Sequence, residues 1–158
     1  MKRLVGGVIV AVAVAAGATA VDDNTTRNDA GEIIEGGGLG VQAMQVGDCL
    51  IDVDEEYVES MEAVPCSEPH DLEVLATVTL SGGDAYPGES EVAQQAYDRC
   101  VEVFDAYVGT PFLESTIDVA PLYPVEEGWE DWDDREANCL LFTMDGSQLT
   151  RSVRNSGL

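Results

Sequence analysis

LEVLATVTL, residues 72–80, is the stretch of sequence that decides the fold. Its apolar side chains recur at every second position, which is the period of a strand that buries one face. We expect Glu73 and Thr77 to lie on the opposite face. The predicted buried set is Leu72, Val74, Ala76, Val78 and Leu80.

A helix is predicted downstream of this strand, over residues 91–108. Ser90 is the predicted N-cap, and Gly109 ends the helix. Apolar residues recur at spacings of three and four, so one stripe is expected to be buried against a sheet. Because Cys100 lies on that stripe, its disulfide partner must come from the sheet. The predicted stripe is Val92, Ala96, Cys100, Val103, Phe104 and Tyr107.

Further strands are predicted on both sides of this pair. The first of these strands covers residues 46–53, and another covers residues 138–144. Residues 116–123 form a weaker strand, in which Pro121 indicates an edge or an end. A turn at Asp145-Gly146 leads to a short final strand over residues 149–153. The fold class is therefore α+β, with one main helix on a four- or five-stranded antiparallel sheet.

The chain has four cysteines, Cys49, Cys66, Cys100 and Cys139. An even number in an exported chain predicts two disulfides, for which three pairings exist. We favour Cys49–Cys66, which joins the first strand to the start of the next, and Cys100–Cys139, which joins helix to sheet.

The N-terminus has the features of an export segment. Lys2 and Arg3 precede an uncharged run, residues 4–21, which is long enough to span a membrane. Ala18-Thr19-Ala20 equally fits a cleavage site after Ala20. Both alternatives, a membrane anchor and a secretion signal over residues 1–21, place the rest of the chain outside the cell membrane. Residues 22–40 are rich in Gly and acidic residues and are predicted to be a flexible linker, and residues 41–158 the folded domain.

The formal net charge is −24, from 31 acidic and 7 basic residues. Nucleic acid is excluded as a partner, because such binding neutralises phosphates with Lys and Arg. The two acidic stretches, residues 52–56 and 126–134, lack the spacing of a calcium loop. Weak, nonspecific binding of divalent cations is expected at most, and no cofactor.

His70 is the only histidine, and it is followed by Asp71 and Glu73. Catalysis would need a nucleophile in contact with the imidazole, and no nucleophile motif is present. The spacing of Cys66 and His70 would suit zinc, but the remaining ligands would have to be Cys49 and a carboxylate in an oxidising compartment. A structural, hydrogen-bonded His70 is expected, with no catalytic or metal-ligating residue.

An acidic loop carries the second candidate group, Trp129, Trp132, Asp134 and Arg135. Tryptophan and arginine are enriched where proteins bind each other. The alternative is that one indole closes the core and that Arg135 pairs with a neighbouring acid.

Several ordered motifs resemble the septum formation domain family of actinobacteria. These are VGDCL (46–50), VPCSEPHDLEV (64–74), YPG (86–88), a helix with an internal cysteine, a tryptophan-bearing DR segment before a cysteine, and LTRSVR (149–154). The resemblance covers residues 44–157 and implies a small extracytoplasmic domain behind one membrane segment, with an envelope or division-septum role and no catalytic residues. The chain departs from the family pattern at Asp133 and Arg151, where members tend to have glycine. The matching positions are Gly47, Asp48, Cys49, Pro65, Cys66, His70, Asp71, Glu73, Cys100, Asp134, Arg135 and Cys139.

The expected function is thus that of a non-catalytic envelope domain that binds another envelope or division protein. Two alternatives remain at this point. One is a secreted acidic domain with a cation-binding or structural role, and the other is an extracytoplasmic hydrolase that uses His70.

Overall fold

The computed structural model describes the backbone of residues 10–12 and the whole of residues 23–158. Its strands are β1 (Val10–Val12), β2 (Thr26–Arg27), β3 (Ile33–Glu35), β4 (Gly37–Gly40), β5 (Cys49–Ile51), β6 (Ser60–Val64), β7 (Leu72–Thr79), β8 (Ile117–Pro124) and β9 (Glu136–Thr143). Seven of them form one sheet in the order β1-β8-β9-β7-β5-β6-β4, and six of those seven lie within residues 23–158. All pairings in this sheet are antiparallel except that of β1 with β8.

One long helix, α1 (Glu89–Val108), packs on the face of β7, β8 and β9. A second, short helix is α2 (Glu126–Asp131), and single 3₁₀ turns occur at Val41–Ala43 and Phe112–Glu114. The α+β class and the single main helix are confirmed, whereas the predicted count of four or five strands is wrong. Strands β1, β4 and β6 of the seven-stranded sheet have no counterpart among the predicted strands.

The sheet is covered on both faces. On one face, α1 and the C-terminal segment bury a cluster that includes Phe104, Leu141 and Val153. On the other face, residues from outside this sheet, such as Ile33 of β3 and Val58, form a second cluster with side chains of the central strands. The described part of the chain therefore has a layer of N-terminal segments that the sequence did not predict.

Residues 22–40 were predicted to be a flexible linker, but residues 26–40 form β2, β3 and β4. The segment is polar on average, but Ile33 and Leu39 are buried and supply its apolar contacts. Gly37 allows the chain to approach closely, because a β-carbon there would overlap the backbone carbonyl of Asn24. The glycines that suggested flexibility are thus explained by tight strand packing.

Strand β7 has the predicted position but not the predicted facing. The register against β9 shifts between Val74 and Ala76, which is a β-bulge at Leu75. Leu72 and Val74 consequently lie in the cluster opposite the helix, whereas Leu75 lies in the helix-side cluster. Glu73 was expected on the unburied face with Thr77, but it lies on the face that α1 covers and is fully buried.

Other predicted details differ in smaller ways. The helix begins at Glu89 with Gly88 as its N-cap, so Ser90 is not the cap, and Val103 on the predicted stripe is exposed. Residues 149–153 form no strand and make one isolated bridge, between His70 and Leu149. Gly109 ends the helix as expected, in the left-handed conformation that glycine tolerates (φ 86°).

Both predicted disulfides are present. Cys49 is bonded to Cys66, and Cys100 to Cys139, which fastens α1 to β9. The predicted anchor or signal over residues 1–21 falls outside the described residues except for β1. Among the residues that the structure describes, no helix has the length and apolar character needed to cross a membrane.

Candidate functional site

His70 is fully buried at the point where the C-terminal segment joins the body of the domain. Its backbone exchanges two hydrogen bonds with Leu149, of 2.9 and 2.8 Å. The ring Nδ1 lies 2.7 Å from the carbonyl oxygen of Glu68, which can only accept, so Nδ1 carries the proton. The other ring nitrogen, Nε2, is buried and has no hydrogen-bond partner within residues 23–158.

Glu73 is a fully buried carboxylate that accepts three hydrogen bonds. The Tyr107 hydroxyl and the Ser152 hydroxyl each donate to Oε1 over 2.6 Å, and the backbone N–H of Val153 donates to Oε2 over 2.8 Å. Burial, together with the hydrogen bond to Glu73, raises the pKa of Tyr107 far above its ordinary value. This network ties α1 and the C-terminal segment to β7.

Cys49, His70 and Glu73 converge on one point. One potential ligand atom from each lies within 4.8 Å of the other two, and all three residues are buried. No other such group of three occurs in the described part of the chain, so the acidic stretches at 52–56 and 126–134 do not assemble one. The structure thus brings His70 and Glu73 together beside a disulfide.

Asp71 points elsewhere and has a structural role. Its carboxylate accepts hydrogen bonds from the backbone N–H of Asp52 (3.0 Å) and from the side chain of Gln148 (3.1 Å). It therefore connects the end of β5 to the C-terminal segment.

The tryptophan group divides into one core residue and one surface residue. Trp129 is buried, donates its indole N–H to the carbonyl of Gly83 (2.9 Å), and lies 3.9 Å beneath the guanidinium of Arg135. Arg135 also pairs with Asp133 at 3.2 Å. Trp132 is 48% exposed. The alternative in which one indole closes the core and Arg135 pairs with an acid matches this arrangement.

Asp134 belongs to the same loop and is half-buried. Its Oδ1 accepts a hydrogen bond from the backbone N–H of Glu136 (3.0 Å), which fixes the start of β9. Burial nevertheless raises the pKa of this carboxyl above its ordinary value.

A cleft of about 790 Å³ opens next to the Cys49–Cys66 disulfide. Its walls are the turn at residues 30–34, the loops at 45–49 and 65–68, and the side chains of Ser152 and Arg154. Ile34 and Val46 at its rim are about half exposed, at 53% and 49%. Apolar side chains are thus accessible in a cleft that also carries the exposed Glu32, Glu68 and Arg154.

A buried ion pair holds one wall of the cleft in place. Arg27 donates to both carboxylate oxygens of Asp48, over 2.6 and 2.8 Å, and the side chains are 14% and 4% exposed, respectively. The hydrogen bond to Asp48 is the main cause of the raised pKa of Arg27. The pair attaches the β2–β3 hairpin to the loop that carries the VGDC motif.

The sequence did not reveal the role of Arg27, the hydrogen bond that Tyr107 donates to Glu73, or the residues at the rim of the cleft. A buried tyrosine on the helix stripe does require a partner for its hydroxyl, which was an available clue. Arg27 lay in the segment predicted to be a linker, so its partner could not be inferred.

These features define a small α+β domain, held together by two disulfides and a buried polar network, with one wide cleft at the junction of its N- and C-terminal segments. A family model described as septum formation matches residues 46–157, which is most of the chain. The protein belongs to the septum formation family, as the motifs had indicated. No curated protein and no solved structure matches the chain.

Proposed function

We propose that this protein is a non-catalytic domain on the outer side of the cell membrane that serves septum formation by binding another envelope or division protein in its cleft. Membership of the septum formation family supports the process. Two disulfides and the uncharged run after Lys2 and Arg3 support the compartment.

The observation that carries the binding proposal is the convergence of three motif segments on one cleft. VGDCL contributes the loop at Val46, VPCSEPH the loop at residues 65–68, and LTRSVR contributes Ser152 and Arg154. Val46 and Arg154 lie 108 positions apart along the chain, and yet they share one surface. A purely structural role for the motifs would not require their side chains to line an open cleft.

The chemistry of the cleft indicates the kind of partner. Ile34 and Val46 offer exposed apolar surface that a partner's apolar side chain can cover. The exposed Glu32 and Glu68 line the same cleft and, among the described residues, outnumber its one exposed cation, Arg154, within a chain of net charge −24. A partner segment with basic residues around an apolar side chain would be attracted by this field and would bury its apolar side chain at the centre.

The geometry around His70 favours binding over catalysis. The Ser152 hydroxyl donates to Glu73 rather than to the imidazole, and His70 Nδ1 is engaged by the Glu68 carbonyl. Within the described residues, His70 therefore makes no hydrogen bond to a nucleophile, as a base must do.

A charge placed on the cleft rim tests the proposal. We expect Val46→Asp to abolish the contribution of the protein to septum formation in cells that carry it as their only copy, because a carboxylate would be desolvated in the contact. Leu113→Asp is the matched control, since Leu113 is an exposed leucine (85%) that does not line the cleft. Both purified variants should retain their unfolding free energy within about 0.5 kcal/mol. Normal septa with Val46→Asp, or equal defects with both variants, would contradict the proposal.

A further inference from the structure

The Cys49–Cys66 disulfide and the imidazole of His70 form an arrangement that binding in the cleft does not use. A ligand atom of Cys49, one of His70 and one of Glu73 lie within 4.8 Å of one another, in the interior of the domain. Cys66 is bonded to Cys49 but lies outside this group of three, so its sulfur can become a fourth ligand only after the disulfide opens and the side chain turns toward His70 and Glu73. Two sulfurs, an imidazole nitrogen and a carboxylate oxygen are a donor set that Zn²⁺ accepts in tetrahedral geometry.

His70 is in the state that a metal requires. The hydrogen bond from Nδ1 to the Glu68 carbonyl (2.7 Å) places the lone pair on Nε2, which is fully buried and has no partner within residues 23–158. Histidines that ligate metals commonly donate their other ring N–H to a backbone carbonyl, which orients the ring. A buried acceptor without a donor is also unfavourable, and a cation at Nε2 would remove that cost.

Glu73 retains capacity for one more contact. A carboxylate offers about four lone-pair positions, and Glu73 uses three, two on Oε1 and one on Oε2. The remaining position on Oε2 can serve a cation while Tyr107, Ser152 and Val153 continue to donate. The same hydrogen bonds would then hold the ligand in place.

The two disulfides differ in access. Cys66 is partly exposed and lines the cleft, whereas Cys49, Cys100 and Cys139 are fully buried. A thiol that enters the cleft can reach the Cys66 sulfur, and Cys49 would then leave as a thiolate beside His70. Reduction should therefore be selective for Cys49–Cys66.

We propose that the Cys49–Cys66 disulfide masks a redox-controlled zinc site, which forms from Cys49, Cys66, His70 and Glu73 when a dithiol reductant opens the bond. The dithiol gives two electrons and two protons to the disulfide, so that it becomes a disulfide itself and leaves two cysteine thiols. Zn²⁺ then replaces the two thiol protons, which pass to water. In the disulfide form the group has a total charge of −1, from Glu73 alone. In the zinc form Zn²⁺, two thiolates and Glu73 also add up to −1, so zinc binding buries no additional net charge.

The test uses the full chain, reduced by a phosphine in the absence of denaturant, with Co²⁺ as a spectroscopic probe and Zn²⁺ as its competitor. Mass-resolved thiol labelling should show two free thiols, at Cys49 and Cys66. The reduced chain should bind one Co²⁺ with a thiolate-to-metal charge-transfer band that Zn²⁺ removes. The oxidised chain should show no such band.

His70→Gln and Glu73→Gln should each weaken this binding by at least about tenfold. Glu68→Gln is the matched control, because its carboxylate lies on the cleft but only its backbone carbonyl contacts His70, and its affinity should stay within about twofold. Cys66→Ser provides a second approach that needs no reductant: its free Cys49 should give a weaker band with one thiolate. No thiolate band in either the reduced chain or Cys66→Ser, or undiminished binding in His70→Gln, would overturn the proposal.

Discussion

The Tyr107–Glu73 hydrogen bond offers a sharp test of the buried network, through the substitution Tyr107→Phe. The tyrosine hydroxyl donates to a fully buried carboxylate over 2.6 Å. Hydrogen bonds to charged groups contribute about 1.5–3 kcal/mol, and Glu73 keeps its two other donors in the variant. We therefore expect a loss of about 2 kcal/mol of unfolding free energy, without a change of fold.

Urea unfolding measures this loss with both disulfides closed. With a denaturant slope of about 2 kcal/mol per molar, the midpoint should fall by about 1 M while the slope stays constant. Tyr97→Phe is the matched control on the same helix. Tyr97 is half-buried, its ring packs edge-on against Phe112, and its hydroxyl makes no hydrogen bond within residues 23–158.

The control should change the unfolding free energy by less than about 0.5 kcal/mol. The interpretation of Glu73 as a buried acceptor that the Tyr107 hydroxyl stabilises would be refuted if Tyr107→Phe were as stable as the wild type. It would also be refuted if the two variants lost the same amount, since the effect would then reflect removal of any tyrosine hydroxyl.

Two further substitutions test the N-terminal layer and the tryptophan pocket. Arg27→Gln should lower the free energy of unfolding by about 3 kcal/mol, because it leaves the buried Asp48 carboxylate without its cation. Hydrogen exchange should accelerate in the β2–β3 hairpin, and unchanged exchange there would show that other contacts hold the hairpin. Gly82→Ala should lower the free energy of unfolding by about 1–3 kcal/mol in thermal unfolding, since its β-carbon would overlap the Trp129 ring. A β-carbon at Gly83 would have no atom within 4 Å, so Gly83→Ala should be nearly neutral, and equal effects of the two substitutions would contradict the steric explanation.

The parts of the fold that follow a simple period could be predicted from the sequence. The strand at Leu72–Thr79 and the helix stripe around Cys100 repeat their apolar residues at the spacing of their own backbone, and the position of Cys100 on that stripe indicated a partner in the sheet. The facing of Glu73 could not be predicted, because a single bulge at Leu75 breaks the alternation without any mark in the composition. A β-bulge depends on the register of the partner strand, which one segment does not contain.

The candidate site was predicted only in fragments. His70 and Glu73 stood out as residues, but the cleft is assembled from segments around positions 31, 47, 66 and 153, and no local pattern reports such a junction. Composition was misleading for residues 26–40, where the glycines and acids typical of a linker coexist with Ile33, Leu39 and the buried Arg27–Asp48 pair. Tertiary contacts decided the structure there, and the local propensity did not.

The most direct measurement of the binding role is site-specific photo-crosslinking in dividing cells. A photoreactive residue at Val46 should give one discrete adduct with an envelope or division protein, enriched while septa form, and a residue at the exposed Leu113 should not give that adduct. Identical adducts at both positions, or none at Val46 in cells whose septa form normally, would contradict a cleft that binds a partner.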